Sequence, residues 1–243
     1  MPLVSLGVVI PAAGQGKRMG ATLNKQFLLL AGRPILAHTL ALFEASPQVK
    51  EIVVVGSEVD LPRIRELVQE YGLKKVSQVT LGGKERQESV YAGVRALSSA
   101  IQRVAVHDGA RPLLTLEELN RFLTESEEYR AAIMAVPLKD TVKRVDGNGR
   151  VLETPPRESL RAVQTPQVFE RELLEKAHRQ CAEEGFLGTD DASLVEWLGQ
   201  PVQVLDVVLE NIKITTPEDL GLAESILARR MDKKGYTMRG END

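Results

Sequence analysis

The sequence that decides the fold is Leu6-Gly7-Val8-Val9-Ile10, followed at once by Pro11-Ala12-Ala13-Gly14-Gln15-Gly16-Lys17-Arg18-Met19-Gly20. The apolar run predicts a strand that is buried on both faces, as in a parallel sheet covered by helices. The small residues and glycines that follow allow the backbone to approach a ligand closely. Backbone N–H groups and clustered cations are what a polyphosphate needs. The stretch therefore predicts a phosphate-binding loop after the first strand of an α/β fold.

Short apolar runs alternate with longer amphipathic runs along the rest of the chain. Strands are predicted at 6–10, 52–56, 76–81, 104–106, 132–136 and 202–207, and helices at 35–44, 61–71, 85–97, 116–129, 170–184, 192–198 and 217–231. This order predicts βαβ units in an α/β, Rossmann-like fold with a mostly parallel sheet and helices on both faces. A single domain is predicted over residues 1–231, and the polar, aperiodic residues 232–243 are predicted to be a disordered tail.

Residues 138–166 interrupt this alternation. Polar and apolar side chains alternate from Lys139 to Val145, and Asp146-Gly147-Asn148-Gly149 is a strong turn signal. We therefore expect an inserted β-hairpin arm. A lone hairpin buries too little surface to be stable in water, so the arm needs something to pack on. From the residues alone, two packing partners are possible for the arm: its own domain or a second copy of the chain.

Composition restricts the functional class. The 243 residues carry a net charge of -3 and contain 4% aromatic residues, which argues against a general nucleic-acid-binding protein. The single cysteine, Cys181, excludes an internal disulfide and disfavours a structural zinc site. The sequence shows no signal-peptide pattern and no apolar stretch long enough to cross a membrane. These features predict a cytoplasmic protein that does not enter a membrane.

Two further groups of small and polar residues follow predicted strands. One is His107-Asp108-Gly109-Ala110-Arg111-Pro112, and the other is Gly82-Gly83-Lys84-Glu85-Arg86-Gln87-Glu88-Ser89. Ligands of open parallel sheets bind at the carboxyl ends of strands, so Asp108 could hold a hydroxyl or a divalent metal there, and Arg111 an anion. The plainer interpretations are a helix cap for Asp108, a flexible connection for the glycines and a packed core position for His107.

Several known kinds of site are excluded or disfavoured by pattern. The GxxxxGK[ST] loop is absent, and a dinucleotide fingerprint does not fit because the third glycine comes one residue late and Lys17 and Arg18 occupy the turn. No GxSxG nucleophile motif occurs, and Cys181 lies in a predicted helix. Asp190 and Asp191 could bind a metal, but helix capping is the simpler role. A reaction that needs only phosphate positioning and charge neutralisation fits these residues.

Together these motifs resemble those of the 2-C-methyl-D-erythritol 4-phosphate cytidylyltransferase family. The resemblance extends from about residue 4 to residue 228 and rests on Pro11–Gly14, Gly16, Arg18-Met19, Lys25-Gln26, Gly82-Gly83, Arg86, Val106–Pro112, Asp140-Thr141, Thr165-Pro166-Gln167, Thr189-Asp190 and Asn211-Ile212-Lys213. It implies a transferase that joins CMP from CTP to 2-C-methyl-D-erythritol 4-phosphate in non-mevalonate isoprenoid biosynthesis. A ribitol 5-phosphate cytidylyltransferase and a non-catalytic nucleotide-binding module are the alternatives.

The resemblance also implies roles for individual residues. Arg18 and Lys25 would be catalytic, since they would stabilise charge on the triphosphate. The nucleotide-binding residues would be Ala12, Ala13, Gly14, Gly16, Gly83, Arg86, Ser89 and Asp108. The substrate-binding residues would be Asp108, Arg111, Thr141, Arg157, Thr189 and Lys213. Of these, Thr141 and Arg157 would come from the arm of the neighbouring subunit in a homodimer.

A divalent ion and two departures from the family pattern complete the prediction. By the same resemblance, Mg²⁺ or another divalent cation would be the cofactor, held mainly by phosphates and near Asp108. Asn24 stands where a proline often precedes the lysine, and Arg161 stands where an aromatic residue is frequent. Neither change removes a group that the chemistry needs.

Overall fold

The structure is a computed structural model that describes residues 5–14, 24–207 and 210–239, with side chains described up to Met231. The strands are β1 (Leu6–Pro11), β2 (Leu29–Leu30), β3 (Arg33–Pro34), β4 (Val49–Gly56), β5 (Val76–Leu81), β6 (Arg103–Val106), β7 (Ala131–Pro137), β8 (Arg144–Val145), β9 (Val151–Glu153), β10 (Arg161–Glu170) and β11 (Gln203–Asp206). The helices are α1 (Ile35–Ala45), α2 (Leu61–Glu70), α3 (Arg86–Ala96), α4 (Leu116–Glu125), α5 (Arg171–Glu183), α6 (Asp191–Trp197) and α7 (Pro217–Arg239).

Seven of these strands form one sheet in the order β11-β7-β10-β6-β1-β4-β5. The pairs β1–β4, β1–β6, β4–β5 and β7–β11 are parallel, whereas β10 is antiparallel to both of its neighbours. The chain leaves β1 toward β4 and β5, then crosses back to β6 on the other side of β1. The carboxyl ends of β1 and β6 therefore form a topological switch point, which is where open α/β sheets bind ligands.

Helices cover both faces of this sheet, as predicted. Successive residues of a strand point to opposite faces, so Val8 and Ile10 of β1 contact the core under α1, α2 and α4. Val9 lies in the other core, together with side chains of α3, α5 and α6. All three are fully buried. The sequence predicted this two-sided burial from the uninterrupted apolar run, and the α/β fold class is confirmed.

The sequence missed β10, which lies in the middle of the sheet between β6 and β7. The arm was predicted to extend to residue 166, but residues 161–166 belong to this strand. The reason is that Gln164, Thr165 and Gln167 interrupt any apolar run, although all three are buried in the structure. When the buried side chains of a strand are polar and form hydrogen bonds with a functional site, the strand shows neither an apolar run nor an alternating pattern from which it could be predicted.

The predicted hairpin is present as a ladder of its own between β8 and β9. Its turn is closed by the Asp146 N–H, which donates to the Arg150 carbonyl at 2.9 Å, and by the Gly149 N–H, which donates to the Asp146 carbonyl at 3.1 Å. Val145, Val151 and Leu152 are all more than half exposed. The arm therefore presents apolar side chains that its own chain leaves in contact with solvent.

The last helix differs from the sequence prediction at its end. It was predicted to stop at Met231, yet α7 continues through residues 232–239, which the sequence placed in an irregular tail. Residues 240–243 of that predicted tail lie outside the described residues. Within the described part of the chain, no helix combines the length and apolar composition needed to cross a membrane.

Two helical glycines give a test of how tightly the sheet and α3 are packed. A Cβ on Gly93 in α3 would lie 2.4 Å from Val9 Cγ1 and 2.8 Å from Val55 Cγ2, whereas a Cβ on Gly221 in α7 would meet nothing within 4 Å. Gly93→Ala should lower the free energy of unfolding by about 1–3 kcal/mol, because a packed core resists an added methyl group. Gly221→Ala, the matched control, should raise it by about 0.5–1 kcal/mol. Urea titration measures both, and a Gly93→Ala protein as stable as the wild type would contradict this close packing.

Candidate active site

A pocket opens at the switch point between the carboxyl ends of β1 and β6. It is lined by Pro11, Ala13, Gly14, Lys25, Gln26, Gly83, Lys84, Glu85, Arg86, Ser89, Asp108, Gly109, Ala110 and Lys213. A second depression, which shares Ala13, Gly14, Gly83 and Lys84 with the first, continues past the carboxyl ends of β4 and β5. Because they share these residues, we describe the two depressions as one groove. It runs across the carboxyl ends of four strands, namely β6, β1, β4 and β5.

The groove brings together most of the residues that the sequence singled out. These are Ala13, Gly14, Lys25, Gly83, Arg86, Ser89, Asp108 and Lys213. Ala12 lies beneath the groove instead, buried, and its N–H donates to the Val55 carbonyl at 2.7 Å. Gly16 and Arg18 lie outside the described residues, so their placement stays a prediction.

Four predicted substrate-binding residues do not line the groove of their own chain. Arg111 is half-buried outside the lining and contacts Asp108, whereas Thr141, Arg157 and Thr189 are all exposed. Arg157 donates from Nη1 to the Lys139 carbonyl at 2.8 Å, which holds it against the base of the arm. The predicted roles of the three exposed residues therefore depend on groups that this single chain does not bring together.

Asp108 is the electrostatic centre of the groove. Its Oδ2 lies 2.8 Å from Lys213 Nζ and 3.6 Å from Arg111 Nε, and its Oδ1 lies 3.6 Å from Arg86 Nη2. Burial alone would raise the pKa of Asp108, but Lys213, Arg86 and Arg111 outweigh it and hold that pKa well below its usual range. Asp108 is thus an anion at neutral pH. The helix-cap interpretation is wrong for this residue, because Thr115 caps α4.

His107 packs beneath Asp108 and shapes the loop that carries it. The ring is completely buried, and burial lowers its pKa to about 4, so it is uncharged at neutral pH. Its Nε2 lies 3.1 Å from the Arg111 carbonyl, which can only accept, and its Nδ1 lies 3.2 Å from Thr165 Oγ1. This geometry assigns the proton to Nε2. The packed interpretation of His107 is confirmed.

Polar residues of β10 and of the segment before α7 hold the groove from below, and sequence reasoning gave them no role. Thr165 Oγ1 accepts from the Asp108 N–H at 3.0 Å, and Asn211 Nδ2 donates to the Thr165 carbonyl at 2.8 Å. Arg111 Nη1 donates to the Asn211 carbonyl at 2.9 Å. These bonds tie β6, β10 and the Lys213 segment together. The one sequence signal for these two supporting residues was their presence in the motifs of the family resemblance.

The Asn24 side chain makes two hydrogen bonds that the more frequent proline could not make. Its Oδ1 accepts from the Gln26 N–H at 3.3 Å and starts the short 3-10 turn that carries Lys25. Its Nδ2 donates to Asp60 Oδ2 at 2.9 Å, which links this turn to the connection after β4. Lys25 Nζ then donates to the Ile214 carbonyl at 3.2 Å. This departure from the family pattern is therefore an alternative way to anchor the same lysine.

Ser89 shapes the second glycine turn. Its Oγ accepts from the Gly83 N–H at 3.1 Å and donates to the Glu85 carbonyl at 3.1 Å. A Cβ on Gly82 would lie 2.6 Å from Ser89 Oγ and 3.2 Å from Ala13 Cβ. Only glycine therefore allows the loop after β5 to come this close to the loop after β1. The flexible-connection interpretation does not describe this tightly packed turn.

The donor set of the groove does not enclose a metal ion. In the described part of the chain, no three His, Cys, Asp or Glu side chains lie together in a way that could hold one. Asp190 is the cap of α6, as expected, because its side chain accepts from the Ser193 N–H. Among the described residues, the carboxylates that line the pocket at the switch point are Asp108 and Glu85, and cations surround Asp108, so the residues fit an ion that a ligand's own phosphates would mostly coordinate.

Chemically, the groove is suited to an anionic ligand. Lys25, Lys84, Arg86 and Lys213 line it, and Arg111 lies at its border. The small residues Ala13, Gly14 and Gly83 leave backbone open to a ligand. Among the described residues, those that line the groove include no histidine or cysteine that could act as a base or nucleophile. The arrangement can bind a polyphosphate and stabilise charge that develops on it.

Comparisons with known proteins agree on one family. The family model for 2-C-methyl-D-erythritol 4-phosphate cytidylyltransferase matches residues 6–229. A protein of that name from Halalkalibacterium halodurans is 52% identical over 223 residues, covering 92% of this chain and 97% of the relative. Another from Geotalea uraniireducens is 51% identical over 222 residues, covering 90% and 95%.

Solved structures agree as well. The crystal structure of 4-diphosphocytidyl-2C-methyl-D-erythritol synthase from Anaerococcus prevotii has a TM-score of 0.82 at 30% identity, covering 92% of this chain and 96% of that one. The crystal structure of 2-C-methyl-D-erythritol 4-phosphate cytidylyltransferase from Thermus thermophilus has a TM-score of 0.74 at 35% identity, covering 91% and 98%. Sequence and fold thus point to the same relatives.

The lowered pKa of Asp108 predicts a pH-dependent contribution to stability. Its unfolded pKa is about 4 and its folded pKa is lower, so the contribution is present above the unfolded pKa and is lost progressively as the pH falls from there to the folded pKa. Asp108→Asn should lower the free energy of unfolding at pH 7 by about 2–3 kcal/mol. Urea titrations should show this difference shrinking between about pH 4 and pH 3.

Asp206→Asn is the control for this experiment, because Asp206 pairs with Arg161 at 2.7 Å on the surface. It should change the free energy of unfolding by less than about 1 kcal/mol. A difference between wild type and Asp108→Asn that stays constant from pH 7 to pH 3 would show that the charge of Asp108 does not stabilise the fold.

Proposed function

This chain belongs to the 2-C-methyl-D-erythritol 4-phosphate cytidylyltransferase family, and we propose that it transfers CMP from CTP to 2-C-methyl-D-erythritol 4-phosphate. The products are 4-diphosphocytidyl-2-C-methyl-D-erythritol and pyrophosphate, in non-mevalonate isoprenoid biosynthesis. The observation that carries this proposal is the groove at the β1–β6 switch point, where Lys213, Arg86 and Arg111 surround an ionised Asp108 and Lys25 lines the same pocket.

The reaction explains why the groove needs cations more than a base. A phosphate oxygen of the acceptor forms a bond to the α-phosphorus of CTP, and the bond from that phosphorus to the pyrophosphate oxygen breaks. A phosphomonoester has a second pKa of about 6, so the acceptor is mostly dianionic at neutral pH and no side chain has to remove a proton. The barrier is electrostatic, since two anions must meet and charge must be stabilised on the leaving pyrophosphate.

The groove divides between the two substrates. Ala13, Gly14, Gly83 and Ser89 form the part at the ends of β1 and β5, where backbone groups and the packed turn suit the base and ribose of CTP. We assign Lys25 to the triphosphate, together with Arg18, which lies outside the described residues. We assign Asp108 and Lys213, which are paired at 2.8 Å, to the hydroxyls and phosphate of the acceptor.

We assign Mg²⁺ to the phosphates of CTP, with Asp108 as the nearest carboxylate. The ion would neutralise charge on the triphosphate and help to orient it. Lys213, Arg86 and Arg111 already surround the Asp108 carboxylate, so this chain offers the ion little direct coordination. The protein's own contribution is the ring of cations that accepts the charged substrate.

We further propose that the enzyme is a homodimer in which the arm of one chain completes the groove of its partner. Two observations support this. The arm exposes Val145, Val151 and Leu152, and Thr141 and Arg157 are exposed at its base rather than in the groove of their own chain. We keep the prediction that the enzyme acts in the cytoplasm, where the free thiol of Cys181 would stay reduced.

Pyrophosphate release tests the activity. With CTP and Mg²⁺, the protein should release pyrophosphate in the presence of 2-C-methyl-D-erythritol 4-phosphate. Release only with ribitol 5-phosphate would assign the chain to the alternative acceptor. Release with neither acceptor would leave only a nucleotide-binding module.

Two lysine variants are matched controls for this assay. Lys25→Ala removes a cation from the groove and should lower the turnover number about 100-fold, because its charge acts on the transition state. Lys74→Ala removes an exposed lysine that precedes the amino end of β5, whereas the groove lies at the carboxyl ends of the strands. It should leave turnover unchanged. Equal rates for the two variants would remove Lys25 from the catalytic groups.

Mixed dimers test the shared site. Subunits carrying Lys25→Ala and subunits carrying Arg157→Ala should each be nearly inactive alone. If arms are exchanged, one of the two grooves in a mixed dimer keeps both residues, so an equal mixture should recover about a quarter of wild-type activity. Size-exclusion chromatography with light scattering measures the dimer directly. A mixture no more active than its components, or a monomer in solution, would overturn the exchange.

A further inference from the structure

We propose that Asp191 is a positioning residue that holds the Arg86 guanidinium in the wall of the groove. This inference deepens the proposed function, since it concerns the groove that we assign to CTP. It predicts that Asp191 affects CTP binding and turnover only through Arg86, although Asp191 itself does not line the groove.

The contact is a close ion pair between distant parts of the chain. Asp191 Oδ2 accepts from Arg86 Nη2 at 2.8 Å, while the same nitrogen is 3.6 Å from Asp108 Oδ1. The Asp191 side chain is 1% exposed, and that of Arg86 is 32% exposed. The buried carboxylate of Asp191 therefore holds the Arg86 guanidinium, while the exposed part of the Arg86 side chain lines the groove.

Arg86 is the evident cation for Asp191. Asp191 Oδ1 has no hydrogen-bond partner among the described residues, so Oδ2 makes the side chain's contact. His178 is close enough to interact electrostatically with Asp191, but burial lowers its pKa to about 4 and leaves it uncharged at neutral pH. A buried carboxylate is costly unless a cation compensates it, so Asp191 strongly favours the position of Arg86 that it contacts.

The backbone of Asp191 is fixed by the same strand that supports Asp108. Gln167 Oε1 accepts from the N–H groups of Asp191 at 3.2 Å and Ala192 at 3.1 Å. Gln167 Nε2 donates to Asp190 Oδ2 at 2.7 Å, and Gln167 itself is fully buried opposite Val106 in β6. The start of α6 is thus placed relative to the end of β6. Arg86 spans the distance between the two carboxylates.

Such an arrangement has a use in the proposed chemistry. An arginine free to rotate could pair fully with Asp108 and neutralise the carboxylate that also holds Lys213. Because Asp191 takes the shorter contact, Arg86 stays at 3.6 Å from Asp108, and Lys213 keeps the 2.8 Å contact. Preorganised charge of this kind is effective because the groups need not move when the anion arrives.

A double-mutant cycle tests the coupling. Wild type, Asp191→Asn, Arg86→Gln and the double variant are compared by calorimetric titration with CTP and Mg²⁺, and by turnover number and KM. Asp191→Asn should weaken CTP binding about 10-fold in the wild-type background, the size expected for a hydrogen bond to a charged group. In the Arg86→Gln background the same change should alter binding less than about twofold. An equal loss in both backgrounds would overturn the proposal, since Asp191 would then act without Arg86.

Glu196→Gln is the charge-matched control, because it removes a negative charge from an exposed position of the same helix, α6, and leaves the Gln167 contacts of Asp190 and Asp191 in place. It should change CTP binding less than about threefold. An effect as large as that of Asp191→Asn would contradict a specific contact. Should Asp191→Asn alone fail to fold, the double variant removes both buried charges. A cooperative unfolding transition in the double variant would still support the Asp191–Arg86 pair. The absence of such a transition would count against the pair.

The two proposals fail in different ways. If wild type binds CTP and the cycle shows coupling but no pyrophosphate is released, the proposed reaction is wrong and the role of Asp191 stands. If pyrophosphate is released normally and the cycle is additive, the reaction stands and the role of Asp191 is wrong. Wild-type protein that does not bind CTP at all would overturn both.

Discussion

An ionised carboxylate buried at the end of β6 sets the conditions for the rest of this site. Asp108 can stay charged there only because Lys213, Arg86 and Arg111 lie around it. These cations come from the segment before α7, the start of α3 and the loop after β6. The fold must therefore bring these connections to one edge of the sheet, and doing so also gathers the positive charge that a polyphosphate needs.

The antiparallel strand β10 makes this gathering possible. It pairs with β6 and with β7, so its polar residues lie directly beneath the loop that carries Asp108. Thr165 fixes the Asp108 backbone and contacts His107, while Gln167 fixes the start of α6. The buried side chains of Thr165 and Gln167 therefore find hydrogen-bond partners in the loop and the helix start that they support. The strand is thus both a member of the sheet and the floor of the groove.

The arm shows how a part of the molecule can be formed locally and yet be functionally incomplete. Its turn and ladder satisfy their own backbone hydrogen bonds, which the Asp-Gly-Asn-Gly sequence makes possible. Its apolar side chains remain exposed, and Arg157 bonds to the base of the arm. Local hydrogen bonding determines the hairpin, whereas burial of its apolar side chains needs another surface.

The sequence by itself determined the order of the helices, the order of most strands of the main sheet and most of the groove lining. Val8, Val9 and Ile10 marked a strand buried on both faces, and the glycines and cations after β1, β5 and β6 marked the loops that meet at its end. These signals are local, because periodicity and turn chemistry act over a few residues. Only the tertiary structure revealed β10, the Asn24 anchor and the Asp191–Arg86 pair. Each depends on polar groups far apart in the chain that become partners when burial removes water, and no local pattern records such a pairing.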